Sequence, residues 1–295
     1  MTASAAPSYE EQLIEDIASF THDPLGYALY AFPWGEEGTE LAHASGPRNW
    51  QRWMLDTVGE HLRNPDTRHQ PLMIAVSSGH GIGKSAGISM ILNWGMSTCE
   101  DCKAVVTANT ENQLRTKTWP EVIKWANLSI TKDWFSTPAT SMYSNDSGHD
   151  KRWRADAIPW SEHNTEAFAG LHNERKRIIV VFDEASNIAD KVWEVAEGAL
   201  TDEDTEIIWV AFGNPTRNSG RFRECFRKYK HRWVTKQIDS RTVEGTNKEQ
   251  IQKWIEDHGE DSDFVKVRVR GIFPDASENQ FIPSGRCIVT GKHIS

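Results

Sequence analysis

The chain has 295 residues, 38 % of them hydrophobic, with 13 Trp and 11 Phe, four cysteines and a formal net charge of −9. That is enough length for one large or two ordinary domains and enough bulky apolar volume for a core without disulfide support, which excludes a mini-protein and an intrinsically disordered chain. An acidic surface taken as a whole repels a polyanion, so contact with nucleic acid requires a local concentration of positive charge.

The opening MTASAAPSYEEQLIEDIASF lacks the basic start and long apolar stretch of a secretory signal, and no stretch approaches the roughly 20 apolar residues of a membrane span. A cytosolic protein with no membrane partner is expected. SYEEQLIEDIASF has apolar spacing near 3.6 and an acidic first turn, which predicts a helix; FPWGEEGTELAHASGP is turn-rich; PRNWQRWMLDTVGEHLRN predicts a second helix. Residues 1–68 thus read as an N-terminal helical segment. From Pro71 short apolar runs alternate with helical patterns: PLMIAVS strand, SAGISMILNWGMS helix, KAVVTA strand, ENQLRTKTWPEVIKWAN helix, an irregular stretch, RIIVVF strand, IADKVWEVAEGAL helix, TEIIWVAF strand. This alternation predicts an α/β core over 69–240, with a mostly parallel central sheet flanked by helices. Residues 241–283 are polar, with a helix at KEQIQKWIEDHG and a short apolar run at FVKVRVRGIF, and 284–295 form a tail. Cys99 and Cys102 form a lone C-x-x-C, with Cys225 and Cys287 far away; this falls short of a four-ligand zinc site, and buried thiols at a helix-to-strand junction are expected.

The most specific signal is Ser78-Gly79-His80-Gly81-Ile82-Gly83-Lys84-Ser85, after a predicted strand and at the opening of a predicted helix. Such a glycine-rich loop turns successive N–H groups and a helix N-terminus toward phosphates, with Lys84 on the β and γ oxygens and the Ser85 hydroxyl on Mg²⁺. Ser78 departs from the glycine of the usual pattern; the alternative is a glycine-rich turn with a fortuitous Lys-Ser. About a hundred residues on, Asp183 and Glu184 follow RIIVVF. Ligands of open parallel sheets bind beyond the strand C-termini, where Asp183 can hold Mg²⁺ and Glu184 can act as base on the attacking water. A helix N-cap with an acidic first turn is the plainer reading of such a pair. TEIIWVAF ends in Gly213-Asn214-Pro215, where Asn214 suits a γ-phosphate sensor or marks an ordinary turn.

Several motifs in order resemble the ATPase domain of the large terminase subunit, the DNA-packaging motor of tailed bacteriophages, over roughly residues 20–283. SSGHGIGKS is similar to that family's deviant phosphate loop, TANTENQL with Thr107 and Gln113 to its following strand-helix motif, VVFDEAS to its Mg²⁺ and glutamate strand, and AFGNPTRNSGRF to its coupling motif. PRNWQ is similar to its adenine-reading segment, which implies Gln51 as the adenine contact. The resemblance implies a P-loop NTPase fold of the ASCE type and Mg²⁺-dependent ATP hydrolysis. The implied partners are double-stranded DNA, the small terminase subunit and the portal protein, with assembly as a homo-oligomeric ring on the prohead in the host cytoplasm. Full-length members continue into a nuclease domain; the dozen residues after Pro283 leave no room for one, so no nuclease activity is expected of this chain. Where members carry an Arg-Gly that supplies a catalytic arginine, this sequence has Phe168-Ala169-Gly170, leaving nearby Arg175 or Arg177 to serve, or to be plain solvated residues.

From Arg217 to Lys236 eight Lys and Arg stand against Glu224 alone, a local +7 that leaves −16 for the rest of the chain. Arg221, Arg223, Arg227, Lys228 and Lys230, interleaved with Phe222, Phe226, Tyr229 and Trp233, suit sequence-indifferent contact with DNA phosphates. An amphipathic helix with a solvated basic face and its aromatics in the core is the equal alternative. Two other functions compete: a helicase-like DNA-dependent ATPase, for which the fifty-odd residues after 241 are too few to make a second motor domain, and a non-catalytic DNA-binding or assembly module with a vestigial nucleotide site.

Overall fold

Three helices precede the first strand in the computed structural model, which describes residues 6–161 and 170–275. The expectations for 276–283, the tail 284–295, Cys287, Phe168 and Ala169 lie outside the described residues. Helix α1 (Tyr9–Ala18) opens on a capping box between Ser8 and Glu11. Helix α2 (Pro24–Ala31) starts with Pro24 in its first turn and an Asp23 side-chain cap on the Gly26 N–H. It escaped the periodicity reading because PLGYALYA is short and nearly all apolar; Tyr27, Ala28 and Ala31 are buried. Helix α3 (Asn49–Arg63) follows the turn-rich stretch and buries Trp50, Met54, Leu55, Val58 and Leu62 along one face.

The eight-stranded sheet has the order β3-β4-β5-β2-β6-β7-β1-β8. Its strands are β1 (Leu72–Ser78), β2 (Lys103–Thr107), β3 (Phe135–Ser136), β4 (Ser141–Ser144), β5 (Arg154–Ala157), β6 (Arg177–Phe182), β7 (Glu206–Gly213) and β8 (Val234–Ile238). The six strands from β5 to β8 pair in parallel, and the two antiparallel pairings, β3 with β4 and β4 with β5, lie at one edge. Strand β7 lies between β1 and β6, the inserted strand of an ASCE-type P-loop fold. Every residue of β1, β6 and β7 is buried, because side chains alternate between two cores. Ile74, Val76, Val106, Ile179, Val181, Ile208 and Val210 face α1–α3 and the helices Lys84–Thr98 and Trp119–Leu128. Met73, Ala75, Val105, Val180, Phe182 and Trp209 face the helix Asp190–Ala196 and pack with Trp193, Phe222 and Trp233.

Helix α4 (Lys84–Thr98) carries the chain from β1 to the Cys99–Cys102 junction before β2. Cys102 is buried and Cys99 half-buried, both as free thiols that burial holds above their usual pKa, in agreement with the inert-thiol expectation. The predicted helix over 111–127 is interrupted: Glu111–Gln113 passes through a π-helical turn, Leu114–Thr118, into Trp119–Leu128. Pro120 has no N–H for the Thr116 carbonyl and its ring crowds that carbonyl, so the turn widens just ahead of it.

The basic run does not form the single amphipathic helix of the alternative reading. It forms only Arg221–Cys225, then turns, then edge strand β8. After β8 the chain folds back beside the end of β1, with the helix Lys248–His258 and a turn of helix, Asp263–Val265, leading into a π-helical turn, Lys266–Arg270. Ile251, Val265 and Val269 form a small separate core there. Among the described residues no helix is long and apolar enough to cross a membrane.

Candidate active site

The loop Gly79–Gly83 leaves the carboxyl end of β1 and enters the N-terminus of α4, a 15-residue helix whose first-turn N–H groups favour an anion. Gly83 is the N-cap in the left-handed region, φ 85°, where a side chain is disfavoured. Ser78 is the last residue of β1, buried and without positive φ, so nothing there requires the glycine of the usual pattern.

Three side chains from the start of α3 hold the loop's carbonyls away from the phosphate side. Arg48 Nη1 donates to the Gly81 carbonyl at 2.9 Å, Trp50 Nε1 to that of Ile82 at 2.6 Å, and Gln51 Nε2 to that of Gly83 at 2.9 Å. The Gln51 carbonyl also accepts the Arg48 backbone N–H, so both ends of its amide are engaged, and the residue is buried. It borders a cavity of about 460 Å³ shared with Trp34, Trp125 and the loop. Arg48 and Trp50 were not legible as loop supports in the sequence, since only the fold brings α3 to β1.

A second cavity, about 690 Å³, brings together Lys84, Ser85, Asp183, Glu184 and Asn214 with His80, Gly81, Gln113, Lys117, Thr118 and Arg268. Lys84 Nζ lies 3.3 Å from Glu184 Oε1 and 3.2 Å from Asn214 Oδ1, while Asn214 Nδ2 donates to the Ser78 carbonyl at 2.7 Å. The acids leave β6 with its last N–H bond made, Asp183 N–H to the Thr107 carbonyl at 2.8 Å. Glu184 is a non-glycine residue at φ 50°, ψ 46°, a conformation that costs of order 1 to 3 kcal/mol. Asp183 Oδ1 accepts its N–H, and Asp183 Oδ2 accepts the Thr118 hydroxyl at 2.6 Å. Asp183 is 3 % exposed. Burial pushes its carboxyl above the usual range, with the Glu184 charge adding to the effect and Lys84 and Thr118 opposing it.

Two of the other expected residues lie elsewhere. Arg177 is fully buried at the opposite end of β6, with its guanidinium on Glu206 at 3.1 Å, the Gly95 and Thr21 carbonyls, Thr98 and the face of Trp94. Its reading as a free arginine is corrected: it ties helix, strand and loop together. Arg175 precedes that same strand end and is exposed, so no part of this chain brings it to Lys84.

In the basic run, Arg221 is a second correction. Its side chain is 13 % exposed, pairs with Glu197 at 2.6 Å and stacks on Tyr229, so it is not a free phosphate contact. Arg223 is half-buried over Phe273, whereas Arg227, Lys228, Lys230 and Arg232 are exposed. Phe222 and Trp233 are in the core, as the structural alternative anticipated.

A phosphate-type loop at the C-terminal edge of a sheet with β7 between β1 and β6 defines a P-loop NTPase fold, and comparison with known proteins agrees. The likeness is to phage large terminases. A probable terminase large subunit of Enterobacteria phage P7 is 25 % identical over 264 residues, 85 % of this chain and 50 % of that one. The large terminase of bacteriophage HK97 superposes with TM-score 0.54 at 11 % identity, over 85 % of this chain and 49 % of that one. The Thermus phage P74-26 large terminase ATPase domain superposes with TM-score 0.51 at 14 % identity, over 70 % of this chain and 91 % of that domain. A large terminase of a thermophilic bacteriophage, solved in complex with ADP, gives TM-score 0.52 at 12 % identity, over 71 % of this chain and 50 % of that one. The chain thus spans about half the length of the phage P7 and HK97 proteins. No family model matches it. The resemblance read from the motifs is borne out.

Proposed function

We propose that the chain is the ATP-hydrolysing motor domain of a DNA-packaging large terminase. The observation that carries this reading is the convergence of Lys84, Ser85, Asp183, Glu184 and Asn214 on one cavity at the carboxyl edge of the sheet. The structurally similar thermophilic-phage terminase was solved in complex with ADP, which supports nucleotide binding by this fold.

The Ser85 hydroxyl and Asp183 carboxylate form a hard, all-oxygen donor pair that suits Mg²⁺, which would add positive charge beside a carboxyl that burial holds above its usual pKa. Bound there, Mg²⁺ would neutralise charge on the phosphate oxygens. The chain's own residues do the rest. The loop and α4 N-terminus cradle the phosphates, and Lys84 turns from Glu184 and Asn214 to the β and γ oxygens. Release of Lys84 frees Glu184 to orient a water and take its proton, and frees Asn214 Oδ1 while its amide stays on β1. Gln51 is proposed for adenine, which requires giving up one of its present bonds, and residues 241–283 as a helical linker or lid subdomain. Arg175, remote from its own site, would act only on a neighbouring copy in a ring. Double-stranded DNA, the small subunit and the portal protein are the partners proposed, in the host cytoplasm.

Nucleotide affinity tests this. Lys84→Ala should weaken ATP binding by about tenfold or more; an affinity equal to wild type would remove the phosphate-loop reading.

A further inference from the structure

Lys117 and Arg268 bring positive charge to the walls of the nucleotide cavity beyond Lys84. Arg268 lies in the π-helical turn Lys266–Arg270, whose other two cations are neutralised: Lys266 pairs with Asp275 at 2.7 Å, and Arg270 with Asp261 at 3.2 Å and Glu260 at 3.7 Å. Among the described residues Arg268 has no carboxylate partner. Its guanidinium stands 4.6 Å over the Phe264 ring, a contact that orients it and leaves its charge free. Asp263 also lines the cavity, but its Oδ1 accepts the Asp275 N–H.

The backbone of Arg268 is fastened to the phosphate loop itself. The His80 N–H donates to the Arg268 carbonyl at 2.8 Å, Ser240 Oγ to the His80 carbonyl at 2.7 Å, and Ser77 Oγ to the Gly271 carbonyl at 2.7 Å. A Cβ on Gly79 would overlap Ser240 Oγ and the Val269 carbonyl, so glycine is required there for the turn to approach. The positive charges of Lys84 and Arg268, added to desolvation, also hold the His80 imidazole below its ordinary pKa. Lys117 is exposed, as Arg268 is, but among the described residues its backbone makes no bond to the loop.

We propose that Arg268 binds the terminal phosphate of the nucleoside triphosphate in the same chain, and that its backbone bond to His80 passes the phosphate's presence to the C-terminal segment. This rests on the nucleotide reading of the site. A guanidinium clamps phosphate oxygens through parallel N–H donors, and one lining the same cavity as Lys84 would reach the end of the phosphate chain that distinguishes ATP from ADP.

Arg268→Gln, titrated with a non-hydrolysable ATP analogue and with ADP, should lose about ten- to hundredfold in affinity for the analogue and keep that for ADP within about twofold. Arg268→Lys should recover part of the loss. Equal affinities in wild type and Arg268→Gln, or equal losses for both nucleotides, would overturn the proposal. Mixing Arg268→Gln with Lys84→Ala should restore no hydrolysis; restored turnover would mean the arginine acts across chains and would refute action in cis. If Lys84→Ala alone binds the analogue like wild type, the nucleotide reading itself has failed; if only Arg268→Gln is inert, this inference alone has.

Discussion

Asp183 holds a carboxylate where the fold would prefer a neutral group. Its pKa is raised on folding, so the protonated form is the one folding favours. The stabilising contribution is therefore present below the unfolded value and lost as pH rises through the raised folded one. In the absence of metal, Asp183→Asn should flatten that part of the stability-pH curve and melt at least as high as wild type at neutral pH, while losing Mg²⁺-dependent turnover. A large drop in melting temperature would show that the charge supports the fold. Arg177 predicts the reverse pattern. Its guanidinium is buried on Glu206, and removing one partner of such a pair typically costs about 3 to 5 kcal/mol. Arg177→Ala should therefore melt far lower, with the folded fraction still hydrolysing ATP; a normal melting temperature with lost turnover would restore it as a catalytic candidate. The sequence showed the acids, because Asp183 and Glu184 close an apolar run beyond which parallel strands place their ligands. It did not show that Arg177 is buried, because its partners Glu206, Gly95, Thr98 and Thr21 are drawn together only by the folded chain.

At the scale of elements, the phosphate loop is held from two sides, by α3 and by the turn at 266–270. The α3 brace uses Trp50 both as a buried ring and as a donor to the Ile82 carbonyl. Trp50→Phe keeps the ring and orphans a buried acceptor, a loss of about 1 to 3 kcal/mol. Weaker ATP affinity together with a lowered melting temperature is expected, and unchanged affinity would show that the loop holds its shape unaided. Strands β1, β2, β6 and β7 were legible as uninterrupted apolar runs, rich in β-branched residues, between turn signals. Strands β3 to β5 were not, being two to four residues long, largely polar, and placed toward an edge. Nor was β8, whose VTKQI is half exposed and begins inside the basic run. The π turn before Pro120 was likewise hidden in a continuous helical pattern, although it is what delivers Thr118 to Asp183.

Over the whole molecule, the net charge of −9 conceals a local +7 that the fold divides. Arg221 and Arg223 are drawn into packing, leaving Arg227, Lys228, Lys230 and Arg232 exposed on the turns before β8. Exchanging Arg227, Lys228 and Lys230 for Gln should reduce the slope of log DNA affinity against log salt by about 0.9 for each phosphate that these cations had neutralised. An unaltered slope would clear this surface of the DNA role. The sequence located the patch but not which cations are free, since Glu197 and Phe273 reach it only through tertiary packing. The proposed reaction is ATP hydrolysis in the cavity beside Lys84 with Glu184 as base, and steady-state hydrolysis by Glu184→Gln, measured alongside its ATP affinity, tests it. Binding near wild type with turnover abolished is the predicted result; wild-type turnover would contradict it.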